Sequence, residues 1–315
     1  MQIPSRADVE HARRTLGDRL HRTPTFSSAT LSEELAAPAF LKAELFQRTG
    51  SFKPRGILNK LESLSDEERQ HGVVSISAGN AAQAVAWASA QAAIDALVVM
   101  WEGASEQKIE ATRGYGASVD LEAPGPAEAF ARLEELVEET GRTFVHPYDD
   151  PLVIAGHGTL GLEIAEDVPE VDVVVVPVGG GGLVSGIATA VEARVVAVEP
   201  ERSPALHEAL RAGKPVPVTP DSIADGLSGP VAGDHCLAVC RERGVESVLV
   251  SEEEIAAGMR FLYERAKLAC EPAGAASTAA LLAGKLPLEA RETVVSVVSG
   301  GNVAGRTAAA ILASE

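Results

Sequence analysis

Residues 171–182, VDVVVVPVGGGG, decide the fold of this chain because a strongly apolar strand runs directly into four glycines. Apart from Asp172 the strand is apolar on both faces, so we expect it inside a parallel sheet that is covered on both sides. A helical pattern follows through residues 185–191. Strand, glycine turn and helix in this order are typical of open α/β sheets, which bind ligands at the carboxyl ends of their strands.

Two other apolar strands end in the same kind of turn. Residues 73–77 lead into SAGN at 77–80, and residues 293–298 lead into SGGN at 299–302. Between residues 73 and 146 four short strands alternate with helical segments, which predicts a compact parallel sheet. Because all three glycine turns follow strands, we expect them to meet at one site.

The length of 315 residues and the turn-rich segment HPYDDP at residues 146–151 predict two domains. We expect a large domain made of residues 1–46 plus 147–315. Residues 47–146 form the expected small domain, with Lys53 near the junction. The residues are 46% hydrophobic but only 4% aromatic, which suits helices packed on a parallel sheet.

Composition restricts the partners and the compartment. The formal charge of −18 repels nucleic acids and anionic membrane surfaces. Three cysteines without a CxxC pair argue against a disulfide framework or a zinc site and predict free thiols in a reducing cytoplasm. No apolar run reaches 18 residues, and the first residues lack the apolar core of a signal peptide, so we expect a cytoplasmic protein without a membrane span.

The segment QRTGSFKPRGI at residues 47–57 places Lys53 between an aromatic residue and a proline. A desolvated lysine readily forms an imine with an aldehyde. The glycines at 179–182 can bind a phosphate through backbone N–H groups at a helix N-terminus, and they match neither a nucleotide P-loop nor a convincing dinucleotide fingerprint. Together these features predict pyridoxal 5′-phosphate as a cofactor, although Lys53 taken alone also fits an ordinary surface lysine.

Eight motifs relate the chain to a known family. Between residues 42 and 302 they are KAELFQRTGSFKPRGI, SAGNAAQAVAWA, HPYDDPLVIAGHGTLGLEI, PVGGGGLVSGIA, VEPE, SIADGL, CEPAGA and SGGN, and the resemblance as a whole runs from about residue 22 to residue 302. In these motifs and their order the chain resembles the serine/threonine dehydratase family of fold type II (tryptophan-synthase-β-like) pyridoxal-phosphate enzymes. The resemblance implies two open, twisted, mostly parallel α/β domains, with the cofactor in the cleft between them, and a homodimer.

The resemblance also implies roles for individual residues. Lys53 is expected to hold the cofactor as a Schiff base and to act as the base at the substrate Cα, while Asn80 bonds the ring 3-hydroxyl and Ser299 the pyridine nitrogen. The expected cofactor-binding residues are Phe52, Lys53, Asn80, Gly179, Gly180, Gly181, Gly182, Leu183, Gly226, Glu271 and Ser299. The residues expected to receive the substrate carboxylate are Ser77, Ala78, Gly79, Asn80 and Ala81.

The implied activity is that of a pyridoxal-phosphate-dependent ammonia-lyase, or dehydratase. A β-hydroxy amino acid of the L-threonine or L-serine type loses its α-proton and its β-hydroxyl and ends as a 2-oxo acid and ammonia. The hydroxyl of Ser299 cannot stably protonate the pyridine ring, which favours β-elimination over transamination. Racemases of the family carry a serine where this chain has Ala78, and alanine cannot exchange a proton.

Three departures from the family pattern leave alternatives open. Ala81 stands in place of histidine, so a bulkier or acidic substrate of the phenylserine or hydroxyaspartate type is an alternative. His157 replaces glutamine, and we expect it to be a hydrogen-bonded buried histidine. Glu199 is a single candidate metal ligand, without a second carboxylate at Ala205. Further alternatives are a serine racemase, a β-replacement enzyme, a nicotinamide dehydrogenase and an amino-acid-binding sensor that keeps the fold.

Overall fold

The protein is an α/β structure built on two sheets, and the computed structural model describes residues 3–289 and 291–313. The strands in these residues are β1 (Thr25–Ser27), β2 (Ala39–Ala43), β3 (Val73–Ile76), β4 (Ala96–Trp101), β5 (Ser118–Ala123), β6 (Thr143–Phe144), β7 (Val173–Pro177), β8 (Arg194–Pro200), β9 (Glu246–Val250) and β10 (Val294–Val298). The α-helices are α1 (Arg6–Leu16), α2 (Ala29–Leu35), α3 (Pro54–Glu62), α4 (Asp66–His71), α5 (Asn80–Ala92), α6 (Glu106–Gly114), α7 (Pro126–Thr140), α8 (Pro151–Asp167), α9 (Gly182–Ala190), α10 (Ala205–Ala212), α11 (Asp234–Glu242), α12 (Glu252–Phe261), α13 (Pro272–Leu282) and α14 (Gly305–Ala313).

The six-stranded sheet contains the predicted central strand. Its order is β1-β2-β10-β7-β8-β9, and every neighbouring pair is parallel except β1 with β2. Strand β7 is buried at all five positions. Val173 and Val175 pack into the apolar layer on one face of the sheet, and Val174 and Val176 pack into the layer on the other. The predicted α/β class with mostly parallel strands is therefore confirmed.

The second sheet has four parallel strands in the order β5-β4-β3-β6. Helices α3 and α5 pack on one face, and α7 packs on the other. Its strands all come from the segment predicted as the small domain, but the domain bounds themselves stay a prediction. Residues 1, 2, 290, 314 and 315, which fall in the predicted large domain, lie outside the described residues.

Helix α8 is longer than the sequence pattern predicts. The pattern indicates a helix only over residues 160–167, because glycines and turn residues come before it, whereas the helix spans Pro151–Asp167. These glycines let other backbones approach closely. A Cβ at Gly156 would overlap the carbonyl oxygen of Arg55, and a Cβ at Gly158 would lie 2.8 Å from a carbonyl oxygen of α9. Close packing with α3 and α9 outweighs the low helix propensity of glycine.

Among the described residues, no helix is both long and apolar enough to span a membrane.

Candidate active site

One pocket is lined by all of the residues that were expected to bind the cofactor. It lies between the carboxyl end of β7, the start of α3 and the loop that follows β10. The lining residues that the sequence analysis did not name are Tyr148, Pro177, Val178, Val184, Leu227 and Ala273. The residues expected at the substrate carboxylate that lie outside the lining are Ser77, Ala78, Gly79 and Ala81. The three glycine turns therefore converge, although the first contributes only Asn80 to the lining.

Lys53 lies immediately before α3, and Pro54 is the first residue of that helix. Its Nζ donates a hydrogen bond to the carbonyl oxygen of Pro147 at 2.9 Å and lies 5.1 Å from the centre of the Phe52 ring. Burial lowers the pKa of Lys53 from 10.5 to about 8. A far larger share of this amine is neutral near pH 7 than in a solvated lysine, and the neutral form attacks aldehydes and accepts protons.

The turn before Lys53 is held against the loop that follows β10. Thr49 and Gly50 both have left-handed backbone, with φ of 59° and 73°. The Phe52 N–H donates to the Ser299 carbonyl at 3.1 Å, and the Gly301 N–H donates to the Gly50 carbonyl at 2.9 Å. These bonds join two segments that lie far apart in the chain, and they bring Lys53 and Ser299 to the same pocket.

Residues 179–182 form a cradle of bare backbone. A Cβ at Gly180 would overlap the Tyr148 ring, and one at Gly182 would lie 2.8 Å from the Tyr148 carbonyl oxygen. Gly181 has a φ of 101°, which side-chain-bearing residues rarely adopt. The cradle leads into α9, whose first turn has backbone N–H groups without partners inside the helix. This arrangement fits a phosphate group.

Asn80 and Glu271 meet at the pocket. Asn80 is the first residue of α5, and its Nδ2 donates to Glu271 Oε1 at 2.7 Å. Burial, and to a smaller degree the Asp225 carboxylate, raises the pKa of Glu271 to about 8. The Glu271 side chain is therefore largely neutral at pH 7. In the turn before α5, Ser77 Oγ accepts the Gly79 N–H at 3.1 Å.

A buried charge network lies directly behind the Lys53 segment. Arg55 is 2% exposed and binds the fully buried Glu44 through Nε at 2.7 Å and Glu163 through Nη1 at 2.7 Å. Lys42, also fully buried, binds Glu163 at 2.9 Å. Burial alone would raise the pKa of Glu44, but the Arg55 guanidinium outweighs this effect and lowers it. Each buried cation in this network thus has a carboxylate partner.

Glu199, the single candidate metal ligand, caps a helix. Its two carboxylate oxygens accept the backbone N–H groups of Leu206 and His207, both at 2.7 Å, near the start of α10. Burial raises the pKa of Glu199 to about 8. Within residues 3–289 and 291–313, no group of three or more acidic, histidine or cysteine side chains has a geometry that could hold a metal ion.

His157 differs from the prediction. It is fully buried with its ring edge-on to Phe52, at a centroid distance of 4.8 Å. Neither ring nitrogen has a hydrogen-bond partner among the described residues, so the expectation of a hydrogen-bonded histidine is wrong. The Phe52 ring and the tightly packed backbone at Gly56 lie against the imidazole. Burial holds the pKa of His157 well below its usual range, and the imidazole is therefore neutral.

The pocket fits pyridoxal 5′-phosphate. Lys53 with its lowered pKa, the bare backbone of residues 179–182 and Ser299 line the same pocket. The family described as "Pyridoxal-phosphate dependent enzyme" matches residues 17–300. The chain belongs to this family.

Individual relatives agree with this membership. The L-threonine ammonia-lyase of Thermotoga maritima is 45% identical over 302 residues, which cover 94% of this chain and 75% of that protein. The structure of maize serine racemase superposes with a TM-score of 0.93 at 33% identity and covers 97% of this chain and 96% of the racemase. The solved structure of a T.th. threonine deaminase has a TM-score of 0.88 at 38% identity, with 96% of this chain and 99% of that chain covered.

These similarities confirm four predictions from the sequence. The family resemblance, the fold type II architecture, the pyridoxal-phosphate cofactor and the assignment to the lyases are borne out. The roles of individual residues and the domain bounds stay predictions.

Proposed function

We propose that this protein is an ammonia-lyase that converts L-threonine, and also L-serine, to a 2-oxo acid and ammonia. The observation that carries the proposal is the single pocket lined by Lys53, the 179–182 cradle and Ser299. Relatives named as a threonine ammonia-lyase and a threonine deaminase support the choice of substrate.

In the proposed mechanism, Lys53 carries both the anchoring and the proton transfer. Bound pyridoxal phosphate supplies an electron-withdrawing ring that stabilises negative charge at the substrate Cα. The cradle and the first turn of α9 bind the phosphate through backbone N–H groups. Lys53 Nζ would hold the cofactor at its aldehyde carbon, and the neutral Lys53 amine would accept the proton from the substrate Cα.

Ser299 favours elimination over other outcomes. A serine hydroxyl is a weaker acid than a carboxylic acid, so it does not keep the pyridine nitrogen protonated. Electron density left at Cα is then best relieved by departure of the β-hydroxyl, which takes the electron pair and leaves as water, and in the overall balance its added proton is the one that Lys53 removed from Cα. The released enamine takes up one water and yields the 2-oxo acid and ammonia, so the atoms balance.

A neutral substrate side chain fits the pocket better than an acidic one. Lys53 is the one cationic side chain among the described lining residues. Lys108, which approaches the same region, is already paired with Asp225 beside Gly226. A hydroxyaspartate-type substrate would bring a second carboxylate without an available cation to receive it.

The test is an assay of the purified protein with its cofactor. We expect 2-oxo acid from L-threonine and L-serine at higher kcat/KM than from phenylserine or hydroxyaspartate. Borohydride reduction followed by peptide mapping should place the cofactor on Lys53. Absence of oxo acid from every β-hydroxy amino acid would refute the lyase activity, and trapping on another lysine would refute the role of Lys53.

The position of Ala78 predicts elimination rather than racemisation. Alanine has no exchangeable proton, so the second face of the substrate Cα lacks an acid at this position. We expect Ala78→Ser to raise racemisation of L-serine at least about tenfold while 2-oxo acid formation changes less. Chiral chromatography of recovered serine measures the effect, and Ala84→Ser, in the buried body of α5, is the control. An unchanged racemisation rate would contradict the one-face mechanism.

We also propose that the protein is a cytoplasmic homodimer. The three cysteines, Cys236, Cys240 and Cys270, are free and buried, which suits a reducing compartment. The dimer follows from the family resemblance alone. Sedimentation velocity of the holoenzyme distinguishes it from a monomer or a tetramer.

A further inference from the structure

Asn302, the last residue of the SGGN motif, links three parts of the site. Its Nδ2 donates to the Thr49 carbonyl oxygen at 2.7 Å and to Asn80 Oδ1 at 2.8 Å. Asn80 Nδ2 in turn donates to Glu271 Oε1 at 2.7 Å. The result is a chain of amides that runs from the lysine turn to the pocket.

The polarity of this chain is set at its Thr49 end. A backbone carbonyl oxygen can only accept, so the Asn302 amide must turn its NH2 group toward Thr49. The second N–H of that group then meets the oxygen of Asn80, and the Asn80 NH2 group points the other way. A Cβ at Gly226, which lines the pocket, would lie 3.9 Å from Asn80 Nδ2.

The turn before Lys53 is shaped around Asn302. Thr49 has a φ of 59°, a conformation that a β-branched residue adopts only at an energetic cost. A Cβ at Gly50 would lie 2.5 Å from Asn302 Oδ1, so only glycine leaves space for this side chain. The left-handed backbone of Thr49 and Gly50 thus places the Thr49 carbonyl oxygen within hydrogen-bond distance of Asn302. The absence of a side chain at Gly50 leaves room for the Asn302 amide.

We infer that Asn302 is a positioning residue for the cofactor, because it fixes the Asn80 amide so that its NH2 group, and not its oxygen, faces the ring oxygen of pyridoxal phosphate. The inference rests on the proposed function, in which Asn80 binds that ring oxygen. Without the donors of Asn302, the Asn80 amide keeps only its bond to Glu271, and a neutral Glu271 carboxyl can accept from the Asn80 NH2 group or donate to the Asn80 oxygen. A carboxylate at position 302 would go further, because it accepts the Asn80 N–H and turns the Asn80 oxygen toward the ring oxygen.

The test compares two cofactors that differ at the ring oxygen. Apo-protein is titrated with pyridoxal 5′-phosphate and with 3-deoxypyridoxal 5′-phosphate, and Kd is read from quenching of Trp87 and Trp101 fluorescence. We expect Asn302→Ala to weaken pyridoxal phosphate binding about tenfold and Asn302→Asp to weaken it more, with much smaller losses for the deoxy compound. The matched control is Asn59→Ala, which removes a similar bond of an asparagine Nδ2 to the Leu152 carbonyl, at 2.8 Å, outside the pocket lining.

The outcomes separate this inference from the proposed function. Equal losses for both cofactors, or no loss for either, would overturn the positioning role, even if the wild-type protein forms 2-oxo acid. Apo-protein melting curves identify a variant that is merely unstable, and Asn302→Asp, which keeps the shape of the side chain, then decides the question. Failure of the wild type to bind pyridoxal phosphate at all would count against the proposed function itself.

Discussion

Lys53 is half-buried and Arg55 is buried, and these two cations lie only two residues apart in different electrostatic environments. Arg55 binds Glu44 and Glu163, and these carboxylates raise its pKa further above its usual value, although burial opposes them. Lys53 has one carbonyl oxygen, that of Pro147, as its hydrogen-bond acceptor among the described residues, and burial lowers its pKa to about 8. The two carboxylate partners of Arg55 make it part of a structural ion-pair network, whereas Lys53 has no carboxylate partner among the described residues and its amine is more easily deprotonated.

This contrast implies that removing Lys53 mainly lowers activity, whereas removing Arg55 mainly lowers the stability of the fold. A desolvated cation without a counter-charge does not stabilise the folded state, so its removal should not lower stability. Removal of one partner of a buried ion pair leaves the other charge buried without compensation, which destabilises the folded state. Activity and stability should therefore respond in opposite ways to substitutions at Lys53 and Arg55.

The largest expected effect is on catalysis at Lys53. We expect Lys53→Ala to lower kcat/KM by at least about 10³-fold, because the chain loses both the proposed cofactor anchor and the proposed base. The melting temperature of the apo-protein should stay the same or rise. Steady-state kinetics and calorimetry measure the two quantities. A large fall in apo-protein stability would break the contrast with Arg55.

The next effect is on stability at Arg55. We expect Arg55→Met to lower the free energy of unfolding by about 3–5 kcal/mol, because Glu44 is then buried without its partner. Urea denaturation of the apo-protein measures the change. Arg14→Met, at an exposed position on α1, is the control and should change stability by less than about 0.5 kcal/mol. A loss at Arg55 no larger than that of the control would show that the network is not structural.

The smallest effect is a pH dependence. The pKa of Lys53 is about 8 in the folded protein and 10.5 when solvated, so the folded state binds fewer protons between these values. The destabilisation by the charged, half-buried Lys53 is fully present below pH 8 and disappears as the pH rises to 10.5. In apo-protein, the stability advantage of Lys53→Met over wild type should therefore shrink by roughly 2 kcal/mol from about pH 7.5 to about pH 10. An advantage that stays constant with pH would mean that Lys53 is not desolvated.

The glycine turns and the lysine segment were predictable because each is a short contiguous stretch of sequence. Taken alone, the glycine run at residues 179–182 also fits a tight strand-to-helix turn, and Lys53 also fits a surface lysine. Three glycine turns at strand ends, together with the family motifs, made the shared site predictable. The buried strand β7 was predictable for the same reason, since its apolar character is continuous.

The missed features depend on distant packing. The sequence pattern predicts a turn at Tyr148, but its ring fills the space beside Gly180, and no periodicity in the sequence indicates this contact. Helix α8 was shortened because its glycines disfavour helix when neighbours are ignored. Strand β9 was not predicted, because it lies at the edge of the sheet with a half-exposed pattern.

The position of β10 in the sheet has a consequence for synthesis of the chain. β10 comes last among the described strands in sequence, yet it lies between β2 and β7 and leads into the loop that carries Ser299 and Asn302. On the ribosome, the parallel neighbour of β2 therefore exists only after β10, the last described strand in sequence, has been made. Until then the nascent chain exposes an unpaired sheet edge, and the cofactor has no complete pocket to enter. The sheet should therefore be completed at the same late stage at which the chain becomes able to bind the cofactor. Measuring cofactor binding by stalled nascent chains of increasing length would test this.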